Sequence, residues 1–190
     1  MSRIDPALPP YSQDIQTYLD KLMPEGIEPL YLFRVLARDE RLFARFMSSG
    51  LLDRGHLSIH EREVVILRVC ANEHSEYEWG VHVAIYAERA GLTPEQVAAT
   101  RSAERELVCW SARERLLLAM CDELSRSTKL SDALWHELAQ VYSGEARIEL
   151  LLLAGFYRLT SVLTNSLDLP LEPFAARFPA AARGSCGAAV

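Results

Sequence analysis

Apolar residues recur every three to four positions along most of this chain, which is the spacing of one face of an α-helix. Leu30, Phe33 and Leu36 form one such set, and Leu134 and Leu138 belong to another. Long runs of alternating apolar and polar residues, the pattern of a half-buried strand, are missing. The pattern predicts an all-helical protein.

The helix starts are predicted from Ser, Thr and Asp side chains, which accept hydrogen bonds from the first turn of a helix. A second helix is predicted to begin near Glu28, and the helix that carries Val64 to Val69 should end near Asn72. The next helix should run to Gly91, because glycine is typical just after a helix end. Glu78 would complete its capping box. The predicted caps are Ser58, Ser75, Thr93 and Ser111, and further helices are predicted to start near Ser12, Asp39, Ser131 and Ser143.

The length of 190 residues is enough for one domain with a sizeable core. Residues 1–27 are predicted to form a Pro-rich arm and a first helix, and residues 28–178 the helical domain. The Ala- and Gly-rich residues 179–190 are predicted to be a mobile tail. Residues 101–110 are the predicted connection between two lobes.

Composition and charge exclude several classes of protein. Hydrophobic residues make up 49% of the chain and charged residues 24%, as in ordinary globular proteins. The net charge of −6, without a basic stripe, argues against nucleic acid as a partner. The longest apolar run, residues 150–157, is too short to span a membrane and is predicted to be a buried core helix. The first residues lack the apolar core of a signal peptide, so we expect a cytoplasmic protein without a membrane partner.

The four cysteines are predicted to be free thiols, most of them in the core. They are Cys70, Cys109, Cys121 and Cys186, and none forms a Cys-x-x-Cys unit.

Glu78 and His82 are the strongest candidates for chemistry. They are one helical turn apart, so both side chains point to the same side, and Glu63 comes from the helix before. An imidazole oriented by carboxylates is the usual composition of a general acid–base site. Two structural alternatives remain open. Glu78 could serve as a capping residue or only stabilise the helix through His82, and Glu63 could lie in an exposed first turn that suits the helix dipole.

Arg68, Tyr77 and Tyr157 are candidates for substrate binding. Arg68 lies in an apolar run, where a buried guanidinium needs a carboxylate partner, either a side chain or a substrate. Tyr77 is a packing anchor or a hydroxyl donor to a substrate. Tyr157 and Asn165 are polar groups on the last apolar helix.

A metal site is the alternative use of these residue types. Glu63, His74, Glu78 and His82 offer ligands but lack a standard zinc spacing. No metal is predicted.

Three segments resemble one family. They are residues 57–68, the motif Tyr-Glu-Trp-x-x-His at 77–82, and the Ala-Gly-Leu-Thr of 90–93. Together they resemble the carboxymuconolactone decarboxylase family, which includes the alkylhydroperoxidase D-type proteins, over roughly residues 28–173. The resemblance implies an all-helical bundle of the alkylhydroperoxidase D-like type that forms a homo-oligomer (a dimer, trimer or hexamer), with its active site near an interface.

The resemblance also separates two activities. Peroxidase members carry two cysteines at positions that fall on Ser75 and Glu78, so the thiol–disulfide cycle of those enzymes cannot run here. Decarboxylase members carry a Glu four residues before the His, as here, and act without a cofactor on a carboxylated lactone.

The sequence therefore predicts a cofactor-independent acid–base enzyme of the decarboxylase, isomerase or lyase type. His82, Glu78 and Glu63 would be catalytic, and the substrate would be a small carboxylated or lactone-like compound. The alternatives are an alkylhydroperoxidase-like antioxidant protein and a catalytically silent oligomeric binding protein.

Overall fold

The computed structural model describes residues 2–23, 27–102 and 108–179, and it is all-helical over these residues, as predicted. The helices are α1 (Gln13–Leu22), α2 (Tyr31–Leu36), α3 (Glu40–Met47), α4 (Ile59–Asn72), α5 (Glu76–Tyr86), α6 (Pro94–Ala99), α7 (Ala112–Ser127), α8 (Asp132–Val141) and α9 (Gly144–Ser166).

Most predicted helix starts are confirmed, and the residue named at each start accepts a hydrogen bond from the first turn. This holds for Ser12, Asp39, Ser58, Thr93, Ser111, Ser131 and Ser143. Ser75 begins α5 but makes no cap bond. Its hydroxyl is fully buried and lies 2.9 Å from the hydroxyl of Thr164 on α9. The predicted capping box with Glu78 is therefore wrong.

Two helix boundaries differ from the prediction. Helix α2 begins at Tyr31 and not near Glu28, because Pro29 disfavours a helical conformation at the residue before it. The regular part of α5 ends at Tyr86. An irregular turn follows, and Gly91 closes it at a φ of 71° with the two hydrogen bonds of a Schellman motif.

Helix α4 is the centre of the fold. It is buried continuously from Glu61 to Cys70 and packs against α5, α7 and α9. A helix that is apolar on all sides needs such surroundings. Residues Val64–Leu67 are completely inaccessible to solvent. Any polar group on this stretch must find its partner within the protein.

Helix α9 is buried on one face only. Leu150, Leu153 and Tyr157 point into the core. The opposite face carries an exposed apolar row, which we call the α9 seam: Ile148, Leu152, Gly155, Leu159 and Val162. The buried core helix predicted at residues 150–157 is therefore buried on one face only, since Leu152 is 58% exposed.

The C-terminal segment, residues 167–179, runs back over α5. The backbone N–H of Ala176 donates to the carbonyl of Gly80 at 3.0 Å. A β-carbon at Gly80 would collide with the Ala176 carbonyl, so only glycine permits this approach. The Phe178 ring packs on Trp79 at 5.2 Å between centroids, and its N–H donates to Glu76. The segment therefore holds α5 from its outer side.

Some predictions concern residues outside the described part of the chain, namely the tail after Pro179, Cys186 and residues 103–107 of the predicted connection. The three described cysteines, Cys70, Cys109 and Cys121, are free, as predicted. None of the described helices is both long enough and apolar enough to cross a membrane.

Candidate active site

Packing of α5 against α4 brings Glu63, Glu78 and His82 together. The Nδ1 atom of His82 lies 2.8 Å from Oε2 of Glu63, across the two helices. Its Nε2 atom lies 3.5 Å from Oε1 of Glu78, one turn earlier on α5. The Glu63 side chain is fully buried, and only 4% of the His82 side chain is exposed. The alternative of a solvated first turn is therefore wrong for Glu63.

Burial and the two carboxylates act on the His82 imidazole in opposite directions. Burial lowers the pKa of His82, but the negative charge and hydrogen bond of Glu63, and then those of Glu78, raise this pKa to about 9. The ring is consequently an imidazolium at neutral pH, with a proton on each nitrogen. Nδ1–H donates to Glu63, which fixes the orientation of the ring.

Arg62 stands beside Glu63. Its Nε lies 3.8 Å from Oε1 of Glu63, and neither atom has a hydrogen-bond partner among the described residues. The Nη1 of Arg62 donates to the backbone carbonyls of Leu52 and Asp53. Glu63 is thus placed between an imidazolium and a guanidinium.

A cavity of about 490 Å³ lies against this group. Its polar wall includes Glu78, His82, Tyr86 and Tyr157. The centroids of the Tyr86 and Tyr157 rings lie 5.1 and 5.0 Å from that of His82. The other walls are largely apolar and come from α1, α2, α3 and the loop after α3. The volume is that of a site for a small organic molecule.

The two tyrosines are hydrogen-bond donors at neutral pH. Burial, followed by the charges of Glu78 and Glu63, raises the pKa of Tyr157 well above its usual value. Burial and then Glu63 also raise the pKa of Tyr86. Tyr157 was a candidate from the sequence, but Tyr86 was missed. Its signal was its position four residues after His82, which places it on the same face of α5.

Arg68 and Tyr77 lie away from the cavity. The Arg68 guanidinium binds both oxygens of Asp122, at 2.7 and 2.9 Å, so its carboxylate partner is a side chain. The Tyr77 hydroxyl donates to Glu172 and accepts from the N–H of Leu32. Both side chains hold elements of the fold together.

Two further groups were singled out in the sequence. Asn165 donates to the backbone carbonyl of Glu73 and does not line the cavity. His74 is exposed and borders a separate depression with Arg101 and Arg126. Within the described ranges, no three His, Cys, Asp or Glu side chains are grouped as a metal would require.

The positions that peroxidase members fill with cysteines carry no thiol chemistry here. Ser75 is bonded to Thr164, and Glu78 faces His82. Cys70 is nearby but completely buried, and burial raises the pKa of its thiol well above the usual value. The reactive thiolate form is therefore disfavoured at this position.

Comparisons with known proteins agree with the fold. An uncharacterized peroxidase-related protein from Silicibacter sp. TM1040 superposes with a TM-score of 0.78 at 18% identity, covering 94% of this chain and 96% of that one. The alkylhydroperoxidase AhpD core protein from Ralstonia eutropha JMP134 gives a TM-score of 0.72 at 19% identity, covering 86% and 87%. A variant of the debrominase Bmp8, solved with 2,3,4-tribromopyrrole, gives 0.73 at 17% identity, covering 90% and 91%.

These structural likenesses show a shared fold. No curated protein sequence matches the chain. Residues 40–122, which run from α3 to the middle of α7 and include Glu63, Glu78 and His82, match the carboxymuconolactone decarboxylase family. This match confirms, over the segment that carries the candidate site, the family resemblance predicted from the sequence.

Proposed function

We propose that this protein is a cofactor-independent acid–base enzyme that acts on a small organic substrate. One observation carries the proposal: a buried imidazolium is held between two carboxylates, and it lines a cavity of about 490 Å³. Buried titratable groups of this kind cluster at functional sites. The family match and the debrominase of similar fold support a catalytic role without naming the reaction.

Glu63 and Glu78 have different parts in the proposed chemistry. Glu63 binds Nδ1 of His82 closely and keeps the ring charged and fixed. The 3.5 Å between Nε2 and Glu78 is too long for a strong hydrogen bond. A reacting group of the substrate can therefore contact both, with Glu78 as the base and His82 as the acid.

A proton shift shows how the charges would balance. The Glu78 carboxylate takes a proton from a carbon next to a carbonyl group, while His82 gives its Nε2 proton to the carbonyl oxygen. An enol results, and transfer of the proton from Glu78 to the neutral His82 restores the site. Tyr86 or Tyr157 would donate a hydrogen bond to the oxygen as its negative charge develops. Elimination and decarboxylation would use the same acid and base.

The two rival functions are less well supported. A thiol peroxidase needs reactive cysteines, and the candidates are replaced by Ser75 and Glu78. A silent binding protein would be favoured by a closed pocket or by a long distance between Glu63 and His82. Neither is found, since the cavity is present and the two side chains are hydrogen-bonded.

The experiment is a thermal-shift screen of lactones, enols, ketones and small carboxylic acids, followed by turnover assays of every hit. We expect His82→Gln to lower turnover by about 10²–10⁴-fold, the usual contribution of a general acid or base. His136→Gln is the matched control, because His136 is exposed on α8 and lies outside the cavity. Undiminished turnover in a folded His82→Gln variant would refute the proposal.

We also propose that the chain forms a homo-oligomer through the α9 seam. The seam residues follow one another at spacings of four, three, four and three, which is the pattern of paired helices. The small Gly155 stands in the middle, where two helices could approach closely. Exposed apolar rows of this length are uncommon on monomers.

A further inference from the structure

The charges around the cavity indicate which substrates it accepts. Its described lining contains the carboxylates of Glu78 and Asp53, the imidazolium of His82, and no lysine or arginine. Among the described lining residues, a carboxylate bound in this cavity would find His82 as its one positive partner.

The positive charge of His82 is already balanced. Glu63 lies 2.8 Å from one ring nitrogen and Glu78 lies 3.5 Å from the other. A substrate carboxylate at Nε2 would be a third negative charge around one imidazolium. Like charges at such distances disfavour each other strongly where water is excluded.

The two buried arginines of α4 already have other partners. Arg62 faces Glu63 at 3.8 Å, and its Nη1 is bonded to two backbone carbonyls. The Arg68 guanidinium is hydrogen-bonded to both carboxylate oxygens of Asp122. Neither of these two guanidinium groups would therefore compensate the desolvation of an anion in the cavity.

The rest of the lining suits an apolar ring. Leu32, Phe33, Phe46, Val81, Ile85 and Phe156 contribute to the walls. The polar lining residues are Glu78, Tyr86 and Tyr157 near His82, and Ser48 and Asp53 after α3. A ligand that is apolar over most of its surface, with one oxygen directed at His82, would match this distribution.

We propose that the substrate is an uncharged, largely apolar ring compound with a carbonyl or hydroxyl group, and that carboxylates are excluded. This inference rests on the proposed function and narrows it. Of the three proposed reaction types, a proton shift and an elimination are compatible with an uncharged substrate. Decarboxylation of a free carboxylate is excluded.

The test compares benzamide with benzoate, which have nearly the same shape and differ by one charge. Calorimetric titration at pH 7 should show benzamide binding at least about tenfold more tightly than benzoate. Glu78→Gln, which removes one negative charge from the cavity, should reduce this ratio at least about threefold. The control is Glu137→Gln, which makes the same change in net charge on the exposed face of α8 and should keep the wild-type ratio. If Glu78→Gln does not fold, Asp53→Asn makes the corresponding change on the exposed loop that lines the cavity.

The outcomes separate this inference from the proposed function. Equal or tighter binding of benzoate overturns the inference, and so does the failure of benzamide and its larger ring homologues to bind up to their solubility limits. A carboxylate that is turned over in a His82-dependent way overturns the inference and leaves the acid–base function standing. Selective binding of uncharged rings without any turnover supports the inference and counts against the function.

Discussion

His82 keeps its positive charge because of its partners and in spite of its burial. A buried imidazole without partners would lose its proton near neutral pH, since burial disfavours the charged form. Glu63 and Glu78 reverse this effect. The charge therefore depends on the packing of α4 against α5, which sets the distance between Glu63 and the ring.

The first prediction concerns the stability of this group at different pH values. An imidazole in the unfolded chain titrates near 6.5, and His82 in the folded protein titrates at about 9. The stabilisation is therefore complete below about pH 6.5 and is lost as pH rises through about 9. We expect the free energy of unfolding to fall by up to about 3 kcal/mol across this window.

Denaturant titrations of wild type and His82→Gln measure this effect, because glutamine carries no charge at any of these pH values. The variant should show a flatter profile over the window, and titrations common to both proteins cancel in the difference. Profiles of equal slope would mean that His82 is not charged in the folded protein.

At the residue scale, the sequence predicted the proximity of two site residues where both lie in the same helix. Glu78 and His82 share a face of α5, so their proximity follows from helix geometry alone. The contact of Glu63 with His82 depends on how two helices pack, and the spacing of residues does not contain this distance. The apolar cavity walls are harder to predict from the sequence. Phe33 and Phe46, which form part of them, lie on helices more than 30 residues earlier in the chain.

At the scale of elements, helix starts were predictable and some boundaries were not. Ser58 and Ser111 cap their own helices, so the signal and the structure are adjacent in the chain. The start of α2 is instead stabilised by Glu172, whose carboxylate accepts a hydrogen bond from the backbone N–H of Tyr31 at 2.5 Å. That partner lies 141 residues away, and local patterns do not reveal it.

The second prediction concerns the contact between α5 and the C-terminal segment. Gly80→Ala should destabilise the protein by about 1–3 kcal/mol, because the new methyl group meets the carbonyl of Ala176. Gly144→Ala is the control at an exposed position with open space around it, and it should be neutral or stabilising by up to about 1 kcal/mol.

Chemical denaturation of both variants provides the measurement. Equal stabilities for the two alanine variants would show that the C-terminal segment does not lie against Gly80. Because Gly80 lies between Glu78 and His82, we also expect Gly80→Ala to weaken ligand binding in the cavity.

At the scale of the whole molecule, the α9 seam is a prominent unpartnered surface among the described residues. Leu152 and Leu159 are 58% and 51% exposed there, while Tyr157 on the same helix lines the cavity. Repeating apolar residues in α9 were visible in the sequence. Which of them would face solvent depended on the positions of α4, α5 and α8, so the sequence predicted a buried core helix without distinguishing its two faces.

The third prediction tests the proposed oligomer. Leu152→Glu places a charge in the middle of the seam and should convert the protein to monomers, because a buried unpaired carboxylate is costly at an interface. Light scattering coupled to size-exclusion chromatography measures the mass. Leu8→Glu changes an equally apolar residue that is 73% exposed outside the seam, and it should keep the wild-type mass. A monomeric wild type, or an unchanged mass for Leu152→Glu, would contradict the proposal.

The contact of Ala176 and Phe178 with α5 has a consequence for synthesis of the protein. Helix α5 leaves the ribosome about 90 residues before these partners do. At roughly 5–20 residues per second, this delay is on the order of 5–20 seconds. Throughout that time the helix with Glu78 and His82 has one side uncovered. A nascent chain interrupted before residue 176 would contain every residue of the candidate site and still lack the part of the C-terminal segment that holds α5 in place.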